Sequence, residues 1–180
     1  MARKISRPLG YRVRRPLVVV GLVLLLTLLR LLTESGGPPS NPESLSEGIY
    51  QIERVVDGDT LILQGNTRVR LIGADTPETV KPNHPVEPYG PEATEFTKRF
   101  IEDAGGEVRL QMDRERKDGF DRFLAYVFVD DRMLNEELIR AGLATARTEF
   151  NYSPSMKRRF RQAEDEAKAA KLGIWSSTSP

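Results

Sequence analysis

Hydrophobic and polar positions divide the chain into three stretches. Residues 17–32 are apolar except for Thr27 and Arg30. Residues 34–48 are polar and rich in Pro and Gly, with the run Gly36-Gly37-Pro38-Pro39-Ser40-Asn41-Pro42, which reads as a flexible linker rather than packed chain. From Ile49 onward, short apolar segments alternate with turns. Residues 49–56 are rich in β-branched and aromatic side chains, and residues 60–64 and 67–72 flank Gly65-Asn66. That pattern predicts a strand followed by a β-hairpin. Residues 82–90 read as a loop. Pro91 then opens a predicted helix over 91–104, with Phe96, Phe100 and Ile101 at helical spacing.

The second half continues with predicted strands over 107–112 and 122–129. The latter is apolar on both faces, as expected of a central, buried strand. A short helix over 134–141 is closed by Gly142. Ser153-Pro154 opens a longer helix, Ser as cap and Pro at the first helical position, which Gly173 ends after Lys171. Met156, Phe160, Ala163 and Ala167 form its inner stripe. Five strands and three helices, strands first, predict an α+β domain: a five-stranded barrel with helices packed on it.

Charge changes the picture at the N-terminus. Arg3, Lys4, Arg7, Arg12, Arg14 and Arg15 precede the apolar run. Sixteen helical residues span about 24 Å, short of a ~30 Å hydrocarbon core, but flanking residues can snorkel and the bilayer can thin. The basic-apolar-polar order is that of a signal anchor or of a cleaved secretory signal. No A-x-A-like site follows, which favours the anchor. The positive-inside bias keeps residues 1–16 cytoplasmic and exports the rest. The sequence therefore predicts a basic N-terminus (1–16), one transmembrane helix (17–33), a linker (34–48), a folded domain (49–176) and a tail (177–180). The domain is expected outside the cytoplasm, membrane-anchored or, after cleavage, secreted.

The overall net charge of +1 hides an asymmetry. Seven of the 27 basic residues and none of the 26 acidic ones precede Glu34, so the remainder carries 20 basic against 26 acidic residues, a net of −6. Any nucleic-acid contact must come from a local basic site. There are no cysteines and a single histidine, His84, so the chain cannot supply a Cys/His zinc site. No G-x-S-x-G, Walker A or G-x-G-x-x-G pattern occurs. The chemistry must rest on carboxylates, guanidiniums or a hard metal held by oxygen.

Three clusters could carry it. Val55-Val56-Asp57-Gly58-Asp59-Thr60 taken alone reads as a turn between strands, yet two aspartates around a glycine can aim oxygens at one cation. Arg70-Leu71-Ile72-Gly73-Ala74-Asp75-Thr76-Pro77-Glu78 places an arginine and two acids at a strand end; its Thr76-Pro77 also reads as a helix start. In Asp118-Gly119-Phe120-Asp121-Arg122-Phe123-Leu124-Ala125-Tyr126, Arg122 heads a buried strand. It needs an anionic ligand or a structural partner, Asp118 or Asp121.

In order and spacing these clusters resemble the signatures of the thermonuclease (staphylococcal nuclease) family. Flanking matches are Glu87-Pro88-Tyr89-Gly90-Pro91-Glu92-Ala93, the run from Met133 to Ala144, and Leu172-Gly173-Ile174-Trp175. The resemblance covers residues 49–176 and implies an OB-fold barrel with three helices. It implies a hydrolase acting on ester bonds: a calcium-dependent nuclease cleaving DNA or RNA, single strands foremost, and leaving a 3′-phosphate. By the same resemblance Asp59, Asp75 and the Thr76 carbonyl are the calcium ligands, Arg70, Glu78 and Arg122 the catalytic trio, and Asp57 a nearby supporting acid.

The chain also departs from the family. Phe120-Asp121 stands where the family shows Tyr-Gly, which removes a hydroxyl and sets an acid beside Arg122. Where the family carries pocket-lining tyrosines, this chain reads Arg147-Thr148-Glu149-Phe150-Asn151-Tyr152, with Phe150 and Tyr152 as candidates for stacking on a base. The expectation is retained hydrolysis with altered preference for end or base. The competing expectation is an OB-type module that binds nucleic acid at the membrane without cutting it. Nothing in the sequence marks an obligate protein partner.

Overall fold

A computed structural model of the chain describes residues 44–79 and 85–176. The expected transmembrane helix at 17–33, the segment 1–16, most of the linker, His84 and the tail 177–180 lie outside the described residues. Among the described residues no helix is long and apolar enough to cross a membrane.

The strands are β1 (Gly48–Asp57), β2 (Thr60–Leu63), β3 (Thr67–Leu71), β4 (Ala74–Asp75), β5 (Glu107–Gln111), β6 (Phe123–Val129), β7 (Arg132–Met133) and β8 (Thr145–Ala146). The helices are α1 (Gly90–Glu102), α2 (Leu134–Arg140) and α3 (Pro154–Ala169), followed by a 3₁₀ turn at Gly173–Trp175. Strands run in the order β3-β2-β1-β5-β6, and β3 pairs back onto β6 in parallel, which closes a five-stranded barrel. This barrel with three helices is the expected α+β architecture and is consistent with an OB-fold.

The local chemistry explains the elements. Gly65 and Asn66 both take positive φ, 88° and 64°, the backbone a tight hairpin loop requires between β2 and β3. Strand β6 pairs with β5, β3 and β7, and Ala125, Tyr126, Val127 and Phe128 on it are all buried, as its double-faced apolar pattern predicts. Leu61, Leu63, Val69 and Leu71 fill the barrel from β2 and β3. Helix α3 packs chiefly on α2 and buries Phe160, Ala163 and Ala167, Phe160 reaching Tyr126 of β6, with Met156 half-buried.

Four details differ from the sequence reading. The two-residue strands β4, β7 and β8 are too short to leave a periodic pattern. Ser153 stands at the start of α3 but does not cap it: its hydroxyl meets the Ser155 hydroxyl at 2.7 Å, and its N–H donates to Asp113 Oδ2 at 2.9 Å. Helix α3 ends at Ala169, short of Gly173. Thr76-Pro77 opens no helix, because residues 76–78 run irregularly from β4 into the loop beyond.

Candidate active site

The barrel gathers the three sequence clusters at one end. The turn between β1 and β2 carries Asp57, Gly58 and Asp59. Gly58 is required there by space: a Cβ at this position would lie 2.7 Å from Thr76 Cγ2 and 2.8 Å from Ala93 Cβ of α1. Its carbonyl accepts a bond from the buried Thr97 hydroxyl of α1 at 2.6 Å. The two aspartates are thus held around a residue wedged under the first helix.

Asp59 is buried, at 3% exposure, and fully engaged. Its Oδ2 accepts the Thr76 N–H at 2.8 Å, its Oδ1 accepts the Thr60 hydroxyl at 3.1 Å, and Arg70 Nη1 pairs with the same Oδ1. Arg70 sits on β3 opposite Thr60 of β2 and Leu124 of β6, so the barrel register fixes it. Its Nη2 reaches Asp75 Oδ1 at 2.5 Å. Burial, above all, lowers the Arg70 pKa, and the carboxylates beside it oppose that shift.

Asp75 ends β4 and pairs with Thr145 of β8, and the N–H of Arg147 donates to the Gly73 carbonyl at 2.9 Å. This small ladder brings Arg147 Nη1 to Asp75 Oδ2 at 2.7 Å. Glu78 follows three residues later. Its N–H donates to Glu87 Oε2 at 3.0 Å, its carbonyl accepts the Glu87 N–H at 2.9 Å, and its Oε1 accepts the Thr79 N–H at 3.2 Å. The loop is thereby tied to the start of α1.

Arg122 stands just before β6. Asp118 Oδ2 accepts from its Nε at 2.7 Å and pairs with its Nη2 at 2.7 Å. Of the two possible acidic partners, then, Asp118 is the one used. Asp121 turns away at φ 63° and meets Lys117 Nζ at 2.7 Å. Burial works to raise the Asp118 carboxyl, but hydrogen bonds from the Arg122 side chain and from the N–H groups of Arg122 and Phe120 outweigh it and hold the group below the usual carboxylate range.

All of Asp57, Asp59, Arg70, Asp75, Thr76, Glu78 and Arg122 line one cleft of about 450 Å³, with Arg68 and Phe120 at its walls. The predicted site residues therefore meet, except for the stacking pair. Those two line an adjoining hollow of about 260 Å³ that shares Arg70, Asp75 and Arg122 with the cleft. Phe150 is exposed at 53%, whereas Tyr152 is buried at 3% with its ring against Phe160. Burial raises the Asp57 carboxyl above its usual range, although Thr60, Arg70 and Arg122 beside it pull the other way.

The donor set fits a hard cation. Two carboxylates, Asp59 and Asp75, converge on a single positive charge, the Arg70 guanidinium. Carboxylate oxygens are the donor type that hard cations prefer. Among the described residues no group of three or more acidic or imidazole side chains gathers as a metal cage. A cation here would share the two carboxylates and a backbone carbonyl with water or substrate.

Sequence reading did not single out Arg147. Its only signal is a cation in an acidic domain, placed just beyond a strand two residues long.

Comparison with known proteins identifies the family. The family model described as "Staphylococcal nuclease homologue" matches residues 68–177. The chain is 43% identical over 169 residues to a thermonuclease of Staphylococcus hyicus, covering 89% of this chain and 95% of that one. It is 49% identical over 131 residues to a thermonuclease of Staphylococcus intermedius, covering 70% and 75%. To the endonuclease YncB of Bacillus subtilis it is 41% identical over 151 residues, covering 81% and 70%. With a family model that matches residues 68–177, from β3 through all three helices, and relatives 41–49% identical that cover 70–89% of this chain, the chain belongs to the staphylococcal nuclease homologue family.

Proposed function

We propose that this chain is a calcium-dependent nuclease that hydrolyses phosphodiester bonds of DNA or RNA. Its place among thermonucleases and endonucleases makes it a hydrolase of nucleic acids. The observation that carries the finer reading is the single cleft in which Asp59, Asp75, Arg70, Glu78 and Arg122 meet.

Hydrolysis builds negative charge on a five-coordinate phosphorus while the attacking water loses a proton. Asp59, Asp75 and the Thr76 carbonyl would hold calcium, which when bound supplies Lewis-acid polarisation and a template for water. Asp57 stands beside them in the cleft as a supporting acid. Arg122 offers the N–H groups that Asp118 does not take, those on Nη1 among them, to a phosphate oxygen. Arg70 shares its donors with Asp59 and Asp75; with those oxygens given to a bound cation, its planar fork would be available to the phosphate. Glu78 accepts the proton of the attacking water or holds that water in line. The bond to the 5′-oxygen breaks, leaving a 3′-phosphate. Phe150 gives an exposed face for a base in the adjoining hollow. Tyr152 lends that hollow a wall, and would stack only if the loop moved.

The test is cleavage of single-stranded DNA and RNA with calcium against EDTA. Turnover with calcium and none with EDTA is expected. Binding without turnover in the presence of calcium would instead favour a silent OB-type module.

The basic-apolar N-terminus supports a further part of the reading: residues 17–33 anchor the domain 49–176 outside the cytoplasm. Membrane fractionation and mass measurement of the mature chain should find residue 1 retained in the membrane fraction. A soluble product starting beyond residue 33 means a cleaved signal instead.

A further inference from the structure

The mechanism above uses nothing on α3, yet the first two turns of that helix carry Lys157, Arg158, Arg159 and Arg161, with no acid in the first turn. Cations at that end oppose the helix dipole, so the helix gains nothing from them. Arg159 is taken by Glu136 of α2. Lys157 and Arg161 lie one turn apart on one face and both turn toward the segment that follows β8. Lys157 Nζ stands 5.1 Å from the Tyr152 ring centre, and Arg161 Nη2 donates to the Thr148 hydroxyl at 3.1 Å.

At its other end, the same segment delivers Arg147 to Asp75, with the Arg147 guanidinium 5.4 Å from the Phe150 ring centre. Glu149, paired with Arg147 at 2.5 Å, is the one acid between residues 147 and 152. A row of cations thus leaves the cleft at Asp75 and passes along the exposed Phe150 to α3. In a domain of net charge −6 this row does not follow from general basicity.

We propose that Arg147, Lys157 and Arg161 form a track for the sugar-phosphate backbone of a single-stranded nucleic acid, holding nucleotides adjacent to the one whose phosphate occupies the cleft. The substrate class rests on the function proposed above; the track adds that the polymer is gripped beyond the scissile bond. Spaced cations follow the backbone regardless of sequence, and their contacts release counterions from it. Arg147 joins the two regions, since it pairs with Asp75 in the cleft and borders the hollow that Phe150 lines.

The experiment compares the full chain with the double variant Lys157→Ala/Arg161→Ala on a single-stranded oligonucleotide of about twelve nucleotides and on a dinucleotide too short to reach α3. Each lost phosphate contact should remove about 0.7 from the slope of log(kcat/KM) against log salt, so the double variant should lose about 1.4, roughly a sevenfold difference between 50 and 200 mM salt. Dinucleotide turnover should not change. The single variant Lys157→Gln should lose about half as much slope, and the charge-keeping pair Lys157→Arg/Arg161→Lys should restore it. An unchanged slope, or equal losses on both substrates, overturns the track. If the unaltered chain cleaves neither substrate, the enzymatic reading fails. Anisotropy of a labelled oligonucleotide over the same salt series then decides the track alone, and an equal slope for chain and double variant overturns it.

Discussion

Arg122→Lys is expected to lower kcat on single-stranded DNA by about 10²–10³-fold while leaving the melting temperature within a few degrees of the unaltered chain. Two facts set the size. The guanidinium is oriented by two contacts to one oxygen of Asp118, each 2.7 Å, so the N–H groups that Asp118 does not take are held in place before substrate arrives. An ammonium has no planar fork: it can satisfy Asp118 or reach a phosphate, but not with the same geometry. Stability should barely respond, because the pair is partly exposed and such ion pairs contribute about 0–1 kcal/mol. Asp118→Asn should cost much less activity than Arg122→Lys, since it disturbs orientation and leaves the charge. Glu78→Gln should reach a similar loss to Arg122→Lys without weakening calcium binding measured by calorimetry. A kcat for Arg122→Lys within threefold of the unaltered chain, on a folded protein, removes Arg122 from the chemical step.

The sequence made the barrel legible where periodicity is long enough to read. The doubly apolar run on β6 announces a strand with neighbours on both sides, and Gly65-Asn66 announces a hairpin. The parallel closure of β3 onto β6 is not written locally, since it joins residues more than fifty positions apart. At the site, residue types and order pointed to the cleft, but their partners depended on backbone geometry. Asp118 rather than Asp121 holds Arg122, because Asp121 takes positive φ and turns to Lys117. Arg147 enters through the pairing of β4 with β8, two strands of two residues each, which no hydrophobic pattern reveals. Exposure separates Phe150 from Tyr152 for a similar reason. A Cβ on Gly73 would lie 2.7 Å from the Tyr152 hydroxyl, so this ring is packed against the turn that leads to Asp75.

Asn135→Ala is expected to destabilise the domain by about 2–5 kcal/mol, read as a lower urea midpoint at unchanged m-value. Asn135 is a polar residue in the run Leu134-Asn135-Glu136-Glu137-Leu138, and its spacing alone suggests a solvated face of a helix. Instead it is wholly buried, at 0% exposure. Its Oδ1 accepts the Val127 N–H at 2.9 Å, and its Nδ2 donates to the Ile72 carbonyl at 2.9 Å and the Ala125 carbonyl at 3.3 Å. Alanine would strand two of these groups. The Ala125 carbonyl keeps the Ile72 N–H at 3.0 Å, but the Val127 N–H and the Ile72 carbonyl lose the partners that Asn135 gave them. Each buried group left so costs about 1–3 kcal/mol. Asn135→Asp should also destabilise, because a carboxylate cannot donate to the Ile72 carbonyl. Ile72 opens the turn to Gly73, Ala74 and Asp75, so the loss should extend to function: at temperatures where the variant remains folded, half-saturation by calcium should move to higher concentration. A destabilisation under 1 kcal/mol would mean that water replaces the amide. The support of Asp75 would then have to come from the β4–β8 ladder alone.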